Sequence, residues 1–215
     1  MANAWMPGAR RVTGTVPAGR SRGGAPRAVW CVSESDPDRW SARAAARQLD
    51  RTGRTAHLVW NPVTGDIAQL LPATAAAAGQ LTPAGSVDRA LEGRVCILVQ
   101  VVGRSPAPFT DSPLNGLTAI LDWLDSWEIP RSWPAGPPGP LPPHRDDADR
   151  ERLWAQGGHF GHSQVPGSAA DGPGAIDVER MRDGRLPRPR QERPVASTAP
   201  SPSNGTRSRP VPRHD

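Results

Sequence analysis

The chain of 215 residues is 36% hydrophobic and 22% charged, which leaves room for one domain of ordinary size together with segments that do not pack. Its net charge of +5 sits at the two ends: residues 1–27 carry five Arg and no acid, residues 182–215 carry eight Arg against three acids, and the middle is net negative. Two cysteines, Cys31 and Cys96, exclude a disulfide framework; no apolar run approaches the roughly 18 residues of a membrane span, and neither lysine nor tyrosine occurs.

Residues 1–27 read as a basic Gly/Arg-rich arm, 28–181 as the folded domain, and 182–215 as a disordered Arg/Pro-rich tail. Arms of this kind are expected either to be simply solvated or to bind polyanions by releasing counterions. The absence of aromatic residues among the tail arginines argues against a base-stacking platform. The start of the chain lacks the apolar core of a signal peptide, so the expectation is a cytoplasmic protein, or one released by lysis or non-classical export.

Within the domain, residues 28–33 predict a buried strand through Val29, Trp30 and Val32. Arg39 to Arg51 predicts a helix with an apolar face of Trp40, Ala44 and Leu49, stopped at Gly53. Strand-like segments at 55–60 and 66–71 flank Asn61-Pro-Val-Thr-Gly, a hairpin connection. Residues 94–102 are apolar on both faces of a period-2 pattern, which predicts a central strand.

Ser112-Pro113 reads as an N-cap and first-turn proline, opening a helix whose Leu114, Leu117, Ile120, Leu121, Leu124 and Trp127 share a face and which must end before Pro130. Residues 130–143 are too rich in Pro and Gly for regular structure. Alternating strands and helices with one hairpin make an α/β fold, a mixed central β-sheet with helices packed on it.

Chemistry-bearing residues gather in few places. His159 and His162 stand three apart, a spacing that can bind metal on a helix; an extended segment puts them on opposite faces, which makes His159 a residue of the groove or one that supports a ligand. Cys31 is either a ligand or a small buried residue, and Asp171 either a ligand or a turn residue. His57 beside the hairpin is either packed or a substrate contact; His144 and His214 fall in loop and tail. Glu34, three residues past Cys31, is a spare acid at a strand end. Trp30, Trp60, Trp123 and Trp127 read as core, whereas Trp133 and Trp154, flanking the Pro-rich loop, either line a groove or anchor the loop.

The run Gly157 to Asp177, GGHFGHSQVPGSAADGPGAID, resembles the last metal-ligand segment of the type-2 N-acetylmuramoyl-L-alanine amidases and the related peptidoglycan recognition proteins. Trp5-Met-Pro-Gly-Ala, Trp30-Cys-Val-Ser-Glu-Ser, His57-Leu-Val-Trp-Asn-Pro-Val-Thr-Gly-Asp, Gly93-Arg-Val-Cys-Ile and Trp133-Pro-Ala-Gly extend it, in order, over residues 5–181.

The resemblance implies the same α/β architecture, a zinc cofactor in a groove at one edge of the sheet, and hydrolysis of the amide between muramoyl lactate and L-alanine in peptidoglycan or muropeptide. It implies His162 as a metal ligand, Cys31 at the place of a first ligand His, and Asp171 one residue before Gly172, where the family has an acid. Gln100 replaces the family's catalytic Glu and Ala170 replaces a polar residue near the transition state; the residues themselves, beside the resemblance, offer His57, His159 and Trp133 as candidate substrate contacts. A glutamine cannot accept the proton, so the expectation is impaired hydrolysis or a non-catalytic peptidoglycan-binding pseudoenzyme. An adaptor that binds polyanions through its arms is the third reading.

Overall fold

Strand β5, Cys96–Val101, is buried at every residue and lies in the middle of a six-stranded sheet, as its two apolar faces require. The structure is a computed structural model that describes residues 2–13, 15–139 and 146–183. In chain order the other strands are β1 (Arg10–Arg11), β2 (Arg27–Val32), β3 (Leu58–Trp60), β4 (Ile67–Gln69) and β6 (Gly158–Gly161). They are arranged β1-β4-β3-β5-β2-β6, with every neighbouring pair parallel except the β3–β4 hairpin.

The hairpin forms because Asn61 organises the turn. Its Oδ1 accepts from the backbone N–H groups of Val63 and Thr64, and its Nδ2 donates to the carbonyls of Pro37 and Trp40. Gly65 takes a positive φ of 77°, which lets the chain turn back into β4.

Helix α1 (Ala42–Arg51) starts at Ser41, whose hydroxyl accepts from the N–H of Ala44 at 3.1 Å. It buries Ala42, Ala45 and Ala46, with Trp40 and Leu49 packed beside them; Ala44 is exposed, a correction to the expected face. These alanines cover one face of the sheet, formed by Val29, Cys31, Val59, Ala68, Cys96 and Leu98. Small side chains there let the helix backbone approach the sheet closely.

Helix α2 (Leu117–Ser126) covers the other face with Leu117, Ile120, Leu121 and Leu124 against Trp30, Leu58, Trp60, Ile97 and Val99. Ser112 is not its N-cap. It ends a short 3-10 turn, Phe109–Asp111, by donating to the Phe109 carbonyl, and the chain passes through a positive φ at Leu114 before Gly116 opens the helix. Trp127 is only half-buried.

Residues 130–139 carry no helix or strand, as their Pro and Gly content predicts. Helix α3 (Asp147–Trp154), which the sequence reading did not anticipate, is capped by Asp146 and buries Leu153 and Trp154. Trp154 belongs to the core: it meets Phe160 at 4.9 Å between ring centroids, carries the Arg27 guanidinium 4.2 Å above its ring, and donates its N–H to Glu92. A last helix, α4 (Val178–Asp183), buries Met181 against the α2 face.

The described part of residues 1–27 differs from a free arm. β1 pairs with β4, Met6 is buried with its N–H on Gln69, and the indole N–H groups of Trp123 and Trp127 both donate to the Asn3 carbonyl. Hydrogen bonds from Ala18 to Ala76 and from Arg22 to Leu91 continue the attachment. The tail expected at 182–215 lies outside the described residues from 184 onward, as do His144 and His214. Among the described residues no helix is long and apolar enough to cross a membrane.

Candidate functional site

Three of the sequence-predicted positions form a row across adjacent strands. Cys31 of β2 stands directly opposite Gln100 of β5 in parallel register. On the other side of β2, Trp30 pairs with Gly161, so His162 begins the 3-10 turn (His162–Gln164) at the row of Cys31. Neighbouring strands are about 4.8 Å apart, which puts the backbones of residues 100, 31 and 162 side by side.

The row faces the α1 side of the sheet, where Cys31 packs with the alanines of that helix. Beyond it, β2 opens into a cleft of about 210 Å³ lined by Ser33, Glu34, Gln48, Thr52, Arg54 and Gln100, among others.

Each side chain is conditioned by its surroundings. Cys31 is only 4% exposed, and burial pushes its thiol up to about 12, with Arg54 opposing; the sulfur is a protonated thiol at neutral pH. His162 is half-buried, and burial pushes its ring down to about 4, helped by the Arg54 charge and opposed by the Leu81 carbonyl and Asp88. Its imidazole is neutral at neutral pH.

Gln100 is 5% exposed, and its amide has no hydrogen-bond partner among the described residues. Glu34 takes a positive φ of 53° and is committed elsewhere: its carboxylate accepts from both the N–H and the hydroxyl of Ser105. This spare acid ties the β2 exit to the loop after β5.

The loop expected to supply the last ligand runs close by, since Ser163 N–H donates to the Gly172 carbonyl at 2.7 Å. A Cβ at Gly172 would point toward Val32 and Ser105, at 3.1 and 3.3 Å. Asp171 itself is exposed, and Ala170 offers only a methyl group beside an N–H held by the Ser168 hydroxyl.

Among the described residues no three His, Cys, Asp or Glu side chains gather where one metal ion could be held. A buried thiol, one neutral imidazole and an outward carboxylate are not the three convergent donors that a zinc centre needs, so the donor set does not fit zinc.

The residues expected to touch substrate are otherwise employed. His57 is fully buried; its Nδ1 accepts from the Leu98 N–H and its Nε2 lies 3.0 Å from the Ala75 carbonyl, so both ring nitrogens are used inside the core. His159 is buried on the α2 side, where the Trp30 indole donates to its Nδ1 and the two rings stack at 5.9 Å. This places His159 and His162 on opposite faces. Trp133 packs half-buried against the His159 ring at 5.5 Å.

Sequence reasoning missed Arg54. An arginine straight after Gly53 at a helix end carries no signal distinguishing it from a solvated cation, yet its charge reaches both Cys31 and His162.

Several solved structures resemble the chain. The endolysin N-acetylmuramoyl-L-alanine amidase LysCS from Clostridium intestinale URNW is 12% identical over 84% of this chain and 97% of its own, with a TM-score of 0.48. A selenomethionine derivative of AmpD is 17% identical over 83% and 95%, with a TM-score of 0.45. The Ph2119 endolysin of Thermus scotoductus MAT2119 bacteriophage Ph2119 is 16% identical over 76% and 86%, with a TM-score of 0.42. No family model matches the chain, and no curated protein matches it in sequence.

Proposed function

We propose that this chain is a peptidoglycan-directed protein of the amidase type, which recognises the muramoyl to L-alanine linkage in the cleft beside Gln100 and hydrolyses it poorly or not at all. The observation that carries the reading is the row of Gln100, Cys31 and His162. Three positions that the family resemblance names separately, and that the sequence holds far apart, lie on neighbouring segments at one end of the sheet, and one of them, Gln100, lines the cleft.

The chemistry of the row favours holding over cutting. Gln100 can donate to a carbonyl and accept from an N–H, which suits an amide substrate, but it cannot take a proton from water. Cys31 is a protonated thiol inside the core and His162 a single neutral imidazole, so neither activates a nucleophile with a partner base. The experiment is a pull-down on insoluble peptidoglycan with a parallel assay for released stem peptide. Retention without release is expected; stoichiometric zinc in protein purified without added metal, with chelator-sensitive release, would assign full amidase activity instead. Absence of retention and of release together would reject the wall as target.

A further inference from the structure

Away from the row, on the α2 side of the sheet, His159 of β6 lies between two indoles. It is 1% exposed; the Trp30 ring of β2 stacks on it at 5.9 Å and the Trp133 ring of the 130–139 loop meets it at 5.5 Å. Nδ1 accepts from the Trp30 indole at 3.0 Å, whereas Nε2 and the indole nitrogen of Trp133 are buried without a partner. This arrangement suits a neutral ring. A proton arriving on Nδ1 replaces the acceptor with a second donor aimed at the Trp30 N–H, and it creates a charge that no hydrogen bond from Nε2 relieves among the described residues. Two charged groups reach the ring with opposite effect: Asp125 of α2 favours the proton and Arg131, at the start of the loop, opposes it. Arg131 is itself bonded to Asp125, to Asp122 and to the Arg182 carbonyl of α4, while β2 and the middle of the loop face His159 with the rings of Trp30 and Trp133. Burial therefore decides, and pushes the imidazole down to about 4.

The part of the fold that His159 fastens is a margin. β6 is an edge strand of four residues, paired with β2 alone. Its outer side is covered by the loop, whose Ser132 carbonyl accepts from the His159 N–H and whose Gly136 carbonyl accepts from Gln164 Nε2. Edge segments with few such bonds open at a lower free-energy cost than central strands. β6 also runs directly into the 3-10 turn that begins with His162. We propose that His159 is an acid-operated latch: on taking up a proton it releases the 130–139 loop and β6 from the Trp30 side of the sheet, and with them the His162 turn, before the domain unfolds. A released ring titrates near about 6.5 and the seated ring lower, so opening takes up a proton. The closed form is fully favoured above roughly pH 6.5, and the latch loosens as the pH falls toward 4. The inference rests on the packing of Trp30, His159 and Trp133, and holds whether or not the chain binds peptidoglycan.

The test is amide hydrogen exchange of the full chain, read by NMR from pH 7 to pH 5 and corrected for the intrinsic effect of pH on exchange. Relative to β5, protection of residues 131–136 and 158–164 should fall about tenfold or more over that range. His159→Asn keeps an acceptor for the Trp30 indole and has nothing to protonate, so the relative fall should shrink to below about threefold. A flat profile in the unaltered protein, an equal fall in β5, or an undiminished fall in His159→Asn would each overturn the proposal. Should that variant fail to fold, His162→Asn replaces it, because His162 is the other titratable group on this segment. The fall should then persist, and its disappearance would assign the effect to His162 and reject the latch.

Discussion

The indole N–H of Trp30 donates to Nδ1 of His159 across 3.0 Å, joining two adjacent strands through their side chains. The bond requires Nδ1 to be the acceptor, so the ring proton sits on Nε2, a buried nitrogen with no partner among the described residues. Nitrogen-15 chemical shifts of His159 should report a neutral ring protonated at Nε2 at pH 7. A ring protonated at Nδ1 would contradict the arrangement.

Acid should destabilise the fold early. Burial pushes both His57 and His159 down to about 4, with Asp125 weakly opposing and Arg131 assisting at His159. The unfolded chain, titrating near about 6.5, takes up protons before the native one, so the stabilisation is complete above that pH and is lost as the pH falls toward 4. Each ring contributes on the order of 3 kcal/mol. Urea midpoints should fall steadily from pH 7 to pH 4.5, and a flat profile would count against buried neutral histidines.

Trp30→Phe removes the donor to His159 and part of a ring that stacks on Phe109 at 6.3 Å. The expected loss is about 2–3 kcal/mol, combining an unpaired buried acceptor with a small cavity. Chemical denaturation measures it, and a loss below about 0.5 kcal/mol would show the contact to be idle.

Asn61→Ala removes four hydrogen bonds, two inside the β3–β4 turn and two that hold it against the segment leading into α1. A cost of roughly 2–4 kcal/mol is expected, with amide exchange accelerated first in β4. Unchanged exchange there would mean that the turn is organised by Gly65 alone.

Rebuilding the row tests the family reading directly. Combining Cys31→His, Gln100→Glu and Gly172→Asp should raise chelator-sensitive release of stem peptide by about 100-fold or more, since general-base assistance alone is worth that much. The new Cβ at residue 172 needs Val32 and Ser105 to yield by only a few tenths of an ångström. No gain in the folded triple variant would mean that these positions do not correspond to the family's site.

Local periodicity made β5, the hairpin and the approximate limits of α1 and α2 legible, because each writes its environment into a few consecutive residues. What escaped depended on distant partners. Ala44 and Ala45 look alike in sequence, and only docking on the sheet decides which is buried. Ser112 has the chemistry of an N-cap but closes the preceding turn. Helix α3 has almost no apolar face until Leu153 and Trp154, so its pattern resembles a solvated loop. In the site, the alignment of residues 31, 100 and 162 came from the resemblance, while Arg54 and the internal duties of His57 and His159 emerge only from tertiary packing.

The docked N-terminal segment changes how the protein looks from a distance. Arg27 is buried under Trp154, Arg10 faces Asp66 at 3.9 Å, and Arg11 lies 4.6 Å over Trp5. Among the described residues of this segment these three cations are therefore fixed on the domain, one inside the core and two at defined places on its surface.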